Sequence, residues 1–224
     1  MKRFGWKVLT AAAAVPLTVQ ALCAQLPGIP YGPVATGLGI NVAADYGKQT
    51  SVPAGGTGVS SWALTGGLGI ANIGLSASFG GIKPSGGSNQ STFGGRAGMK
   101  LFGGGLTPVT VGAQVGFSHI SSSGGAVSST NNVMPGAWVK VSPPLFPLKP
   151  WGHVYDLISN NPISTGSTTK SEIRFAIGAD FNLLLGLGVH AGYDWGDKSG
   201  KFWGVGAHMN FRVPSLGVPG VPGI

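Results

Sequence analysis

At 224 residues the chain suits one domain, yet 41 of its residues are Gly and only 9% are charged. The glycines keep no strict G-X-Y period, which excludes collagen, and the 42% hydrophobic content is spread in ordered alternation, which excludes simple disorder. The formal charge is +8, and beyond the first seven residues the basic side chains are dispersed rather than clustered, so nucleic-acid binding gains little support.

In chain order, the first element is a leader. Met1-Lys2-Arg3 and Lys7 form a basic n-region, Val8 to Val19 an apolar stretch, and Ala21-Leu22-Cys23-Ala24 a small-residue exit with cleavage expected after Ala24. A lipoprotein signal with acylated Cys23 is the rival reading, and Leu22 fits it poorly. Cleavage takes Lys2, Arg3 and Lys7 away, leaving eleven basic against six acidic side chains. It also takes the single cysteine, so neither a disulfide framework nor a thiolate metal site is expected.

After a Pro/Gly-rich extension over residues 25–33, period-two alternation recurs, broken by Gly/Ser/Pro/Asn clusters. It predicts strands at 34–46, 59–70, 73–82, 93–102, 109–118, 132–141, 151–158, 171–182, 187–195 and 202–213. That makes ten; Pro135 and the stretch from Pro143 to Pro150 interrupt the sixth and seventh, and eight is the alternative. The last strand is the clearest: Trp203, Val205, Ala207, Met209, Phe211 and Val213 lie on one face, and Gly204, Gly206, His208, Asn210 and Arg212 on the other. A Pro/Gly-rich tail, 214–224, follows, and both ends read as extensions on one side of the molecule.

The connections alternate too. Gly47 to Gly58, Pro84 to Ser91, His119 to Asn131, Ser159 to Lys170 and Gly196 to Lys201 are polar and flexible. Ala71-Asn72, Gly103 to Pro108, Ser142 to Pro150 and Leu183 to Gly186 are tighter. Threading the strands up and down carries Tyr46, Trp62, Phe79, Phe93, Phe117, Tyr193, Trp195 and Trp203 to the long-loop rim as an aromatic girdle, with Phe181 and Phe211 at the opposite rim.

In this pattern, over about residues 34–213, the chain resembles the small outer-membrane β-barrel proteins of Gram-negative bacteria. The resemblance implies a closed antiparallel transmembrane β-barrel, export to the periplasm, and placement in the outer membrane against lipid and lipopolysaccharide. Phe211 resembles the closing aromatic that this family presents to the barrel-assembly machinery, although here the tail SLGVPGVPGI follows it. The competing architecture is a secreted soluble β-sandwich. Against it stands the second face, occupied by Gly37, Gly39, Ala43, Gly67, Gly69, Gly74, Ser76, Ser78, Gly94, Gly98, Gly112 and Gly116. Small residues suit a concave inner wall, whereas a soluble surface carries long polar groups.

Inward-facing charges are few: Asp45, Arg96, Lys100, Glu172, Arg174, Asp180, Asp194, His208 and Arg212. They read either as a constriction selecting small solutes or as ion pairs stitching the lumen, for example between Arg96 and Glu172 across the barrel. No catalytic motif is present. Ser118 and His119 are neighbours with opposite side-chain directions, Asp156 lies near the same rim, and no third group completes a triad. His190 and His208 share the lumen without the spaced carboxylate that a metal site needs. Gly37-Leu38-Gly39 is no phosphate loop, because no helix follows it. Lys48, Lys83, Lys170, Lys198 and Lys201 lie in or beside the long loops and read either as a basic rim for lipopolysaccharide phosphates or, the commoner case, as solvated loop charges. The sequence therefore points to a cofactor-free, non-enzymatic barrel, structural or a narrow passive pore, with a loop-mediated adhesin as the alternative.

Overall fold

A computed structural model describes Leu26, Ile29, Pro30 and residues 32–52, 58–104, 107–122, 129–163 and 166–212. The leader (1–24) and the tail (214–224) lie outside the described residues. Ten strands follow one another: β1 (Gly39–Ser51), β2 (Val59–Ile70), β3 (Ile73–Pro84), β4 (Gln90–Gly104), β5 (Thr107–Ile120), β6 (Thr130–Val141), β7 (Leu148–Ile163), β8 (Gly166–Asn182), β9 (Leu187–Gly196) and β10 (Lys201–Arg212). Each pairs antiparallel with its sequence neighbours, and β1 pairs with β10 from Gly39↔Arg212 to Ser51↔Lys201. The sheet is therefore a closed barrel with no free edge.

The count is ten because Pro135 does not break the sixth strand. Proline has no N–H to give to the ladder, and pairing with β7 lapses there, between Val133↔Ile158 and Gly136↔Tyr155, then resumes in the same register. Two expectations need correction. The Ser159 to Lys170 stretch is not a loop: β7 and β8 stay paired as far as Ile163↔Gly166, forming a projecting hairpin. Its β-branched Ile163, Thr168 and Thr169 favour extended backbone over a coil. The first strand begins at Gly39 rather than at 34, because Gly37 takes a φ of +95° and turns the chain out of the wall.

Alternation along each strand now has a physical meaning. Ile40, Val42, Leu64, Leu68, Ile73, Phe79, Val115, Val139, Ile173, Ile177, Val189 and Val205 are exposed on the outer wall. Asp45, Thr65, Ser76, Ser78, Arg96, Gln114, Arg174 and Asp194 are buried on the inner one. The partition is the reverse of a water-soluble domain, in which large aliphatics go inside.

A ten-strand barrel lined only by Gly and Ser would be hollow. Here β6 and β7 supply the bulk: Met134, Trp138, Trp151, His153 and Tyr155 are all buried in the lumen. The glycines are their complement. A Cβ at Gly112 would run into the Trp138 ring, one at Gly178 into Trp151, and one at Gly136 into Tyr155 and His153.

The rest of the filling comes from the segment before β1. Leu26, Ile29, Pro30 and Val34 are buried. Leu26 clusters with Ile29 and Ala63, beside Gly80 in the long-loop half. Pro30 lies against Gly192 and Gly204, Gly32 against Trp151, and Val34 against Gly74 and Gly98. The Gly37 N–H donates to the Ala71 carbonyl at 2.7 Å, at the short-turn end. The segment thus threads the lumen lengthwise. Among the described residues Leu26 is in the long-loop half, whereas β10 ends at Arg212 beside Gly39 at the other rim; the tail expected to share a side with the N-terminal extension lies outside the described residues.

This packing yields a paired test. Gly112→Ala forces a methyl into Trp138 and should cost about 1–3 kcal/mol as overpacking. Gly66→Ala has nothing within 4 Å, so it should be neutral or stabilise by roughly 0.4–1 kcal/mol. Denaturant titration of the refolded barrel measures both.

Candidate functional site: the lumen

The inner wall gathers its charges into separate clusters. At the long-loop end Arg174 is the centre, 2% exposed. Its Nε donates to Asp194 Oδ1 at 2.8 Å, and its Nη2 donates to the same oxygen and to the Gly200 carbonyl at 3.0 Å. Nη1 reaches Glu172 Oε2 at 3.2 Å. The Tyr155 hydroxyl donates to Asp194 Oδ2 at 2.5 Å, and the Phe202 ring lies 5.5 Å from the guanidinium. Glu172 also accepts the N–H groups of Lys198 (2.5 Å) and Ser199 (3.0 Å) and the Ser199 hydroxyl. Glu172 and Arg174 share a face because they are two apart on one strand. The cluster ties the β9–β10 loop to the lumen mouth.

Nearer the short-turn end runs a second chain. Asp45 Oδ1 meets His190 Nε2 at 2.5 Å, His190 Nδ1 meets His208 Nδ1 at 3.1 Å, and His208 Nε2 meets Asn182 Oδ1 at 3.3 Å. The imidazole planes differ by 21° with centroids 5.4 Å apart. That separation is close to the Nδ1 gap plus two ring radii, so the nitrogens meet head-on, as in an N–H···N bond. Among the described residues no group of three or more His, Cys, Asp or Glu side chains is arranged to hold a metal ion. Lys140 pairs with Asp180 on the same inner wall.

Arg96 donates from Nη1 to the Gly32 carbonyl at 2.7 Å, and Gln114 Oε1 accepts the Val34 N–H at 3.4 Å. The Arg96–Glu172 stitch expected from sequence is thus replaced: Arg96 grips the threaded segment, while Glu172 belongs to the Arg174 cluster. Lys100 is half-buried, and the Arg212 side chain lies outside the described residues. Sequence reading missed Lys140, Trp138, Trp151, His153 and Tyr155 as lumen residues. The signal was present, since Trp138 and Lys140 keep the parity of Met134, but the prolines around β6 and β7 obscured it.

The enzymatic combination does not assemble. Ser118 is buried and accepts from Asn132 Nδ2 at 3.1 Å, whereas His119 faces outward against Phe93 and bonds Asn131. Asp156 accepts from the Ser171 hydroxyl at 2.7 Å.

On the outer wall the aromatics meet across strands and, for Tyr193 and Trp195, along β9. Tyr46 and Trp203 are 5.9 Å apart, Trp62 and Phe79 5.9 Å, Tyr193 and Trp195 6.0 Å, and Phe93 lies 5.1 Å from His119. Phe175 stacks on Trp195 at 5.8 Å. Phe117 lies one strand from Phe93, across from Val133 and Gly95. Phe181 and Phe211 are exposed at the opposite end.

No protein-family model matches the chain, and no curated protein matches it. Solved structures to which it is similar include the translocator domain of the autotransporter NalP from Neisseria meningitidis, at 16% identity and TM-score 0.43, covering 80% of this chain and 90% of that one. Another is the beta domain of the Bordetella autotransporter BrkA, at 12% identity and TM-score 0.45, covering 79% and 100%. A third is the N-terminal β-barrel domain of Pseudomonas aeruginosa OprF, at 12% identity and TM-score 0.33, covering 76% and 97%. The closed barrel itself rests on the strand register given above.

The separation into clusters has a thermodynamic consequence. Arg174→Gln leaves two buried carboxylates without their cation and should cost about 3–5 kcal/mol. Arg174→Gln with Asp194→Asn should cost clearly less than the sum of the singles, while Arg96→Gln with Glu172→Gln should be additive within about 0.5 kcal/mol. Double-mutant cycles on equilibrium unfolding read both.

Proposed function

We propose that the chain is an outer-membrane β-barrel of a Gram-negative bacterium, closed by its own N-terminal segment, and that it serves there as a non-enzymatic structural barrel. The observation that carries this reading is the pair of inverted surfaces. An outer wall of exposed Leu, Ile, Val and Phe is bounded by aromatic rings, and a polar inner wall is packed shut by side chains and by the threaded Leu26, Ile29, Pro30, Gly32 and Val34. Hydrocarbon accepts the outer wall without cost, where water would not. Closure leaves no ladder edge for lipid to meet. The leader delivers the chain to the periplasm. Phe211, exposed near the end of β10 where it pairs with Ile40 of β1, supplies the aromatic for the assembly machinery at the seam that closes last.

A second reading, the narrow passive pore, draws on how the segment is held. Among the described residues its polar ties include the Arg96–Gly32, Gln114–Val34 and Ala71–Gly37 bonds, and Thr65, Ser76 and Ser78 are buried on the inner wall. Were the segment to leave, a polar path would open.

Two measurements decide. Val205→Arg on the outer wall should weaken insertion into vesicles by about 2–4 kcal/mol if the site lies near the midplane; tolerance of the arginine would contradict the lipid-facing assignment. In planar bilayers the intact chain should be electrically silent, and deletion of residues 25–36 should produce discrete openings. Openings from the intact chain favour the passive pore, and silence from both shows that the walls alone fill the lumen.

A further inference from the structure

We infer that the outer wall of β1–β3 carries a binding site for the phosphorylated sugar headgroup of an outer-leaflet glycolipid, an inference that rests on the membrane reading above. The ladder register brings the site together. Trp203 of β10, Lys48 of β1, Ser60 of β2 and Lys83 of β3 lie in one row on the same face, because Lys48 pairs with both Trp203 and Ser60, and Ser60 pairs with Lys83. The next row toward the turn end is Tyr46, Trp62 and Gly81. Two amines, Lys48 and Lys83, therefore stand one row beyond two rings, Tyr46 and Trp62.

Glycine at position 81 lets the floor form. A Cβ there would sit 2.6 Å from Trp62 Nε1 and 3.0 Å from Asn89 Oδ1, so the indole and the Asn89 amide both lie across this position. Gly87, Ser88 and Asn89 of the β3–β4 loop lie against the outer wall and, with Tyr46, Ser60, Trp62 and Lys83, line an open recess of about 560 Å³. That volume falls within the range of small-molecule sites.

The chemistry selects the ligand. Lys48 and Lys83 are two strand spacings apart, roughly 10 Å, and both are exposed. Among the described residues neither has a hydrogen-bond or ion-pair partner. Lys201, also exposed, flanks them on β10. Rings offer flat apolar faces that suit a sugar, Ser60 and Asn89 offer hydroxyl and amide partners, and the amines offer a pair of charges to phosphate. The height is right as well: interfacial aromatics mark the headgroup level, and the lysines lie level with Trp203 and one row beyond Tyr46 and Trp62. At the short-turn end the described lysines face inward instead, as Lys140 does toward Asp180. The basic outer rim therefore belongs to one leaflet only.

The test uses the full chain refolded in phosphatidylcholine vesicles containing lipopolysaccharide, dephosphorylated lipopolysaccharide or phosphatidylglycerol, with inorganic phosphate as a soluble control. The readout is the temperature at which the compact band on an unheated gel converts to the boiled mobility. Phosphorylated lipopolysaccharide should raise that temperature by roughly 4–8 °C over the other lipids. Lys48→Gln with Lys83→Gln should abolish the rise, and Lys170→Glu, an equal change of net charge on the β7–β8 hairpin, should keep it. An equal rise with dephosphorylated lipid, with phosphatidylglycerol or with free phosphate overturns the site, as does a double variant that keeps the rise. A chain with no heat-dependent band in any lipid defeats the membrane reading itself, and that outcome is distinct from a compact band indifferent to phosphate.

Discussion

Closing ten strands into one barrel creates an interior that must be filled, and much of this chain's unusual composition answers that requirement. A wall of small residues alone would leave a void, and voids forfeit the contacts that stabilise a packed interior. The chain fills the space unevenly. Trp138, Trp151, His153 and Tyr155 project from β6 and β7, and Gly112, Gly136 and Gly178 recede beside them. Glycine weakens an isolated strand, yet here each of these removes a Cβ that would occupy a neighbour's ring. Pro30 and Val34 complete the fit from the threaded segment, against Gly192, Gly204 and Gly98.

The same requirement governs the charges. A lumen occupied by rings and by a second pass of chain leaves little room for bulk water, so each ionised group needs a nearby partner. Arg174 holds Asp194 and Glu172, His190 holds Asp45, and Lys140 holds Asp180. These are contacts within a strand or between strands one or two apart, set by the curvature of the inner wall. The cluster around Arg174 carries one formal positive charge against two negative ones, and the N–H groups of Lys198 and Ser199 offset the excess at Glu172. The loop between β9 and β10 is in this way fastened by its own backbone to the lumen mouth.

How much of this was legible in the sequence follows from what kind of signal each feature leaves. Period-two alternation is local, so the strands were readable, and β2 spans the very residues the pattern marks, 59–70. Parity along a strand also assigns faces, which is why the girdle aromatics and most inward charges could be named. The threaded segment was not readable. Val34 to Gly39 alternate apolar and small residues just as a strand does, and only the positive φ of Gly37 and the crowding at Gly74 and Gly98 separate lumen from wall. Ion-pair partners were equally hidden. Parity says that Arg96 and Glu172 both face inward, but a carbonyl of the segment, at Gly32, lies within Arg96's reach. Proline masked β6 and β7, because a missing N–H reads as a strand break when its cost is confined to one lapse in pairing.

The placement of the N-terminal segment inside the lumen is the claim on which the filled barrel stands. The most direct measurement is an oxidative cross-link in a chain carrying Cys23→Ser, Val34→Cys and Gly98→Cys. A Cβ at Gly98 lies 3.3 Å from the Val34 Cβ, near the spacing of a disulfide. Position 98 is on β4, which is not a neighbour of β1 in the wall. A threaded segment predicts a reducible intramolecular bond in high yield, seen as a mobility change of the boiled, unreduced chain. A segment that continues β1 in the wall, or that lies outside the barrel, would leave both thiols free to alkylate and would contradict the account.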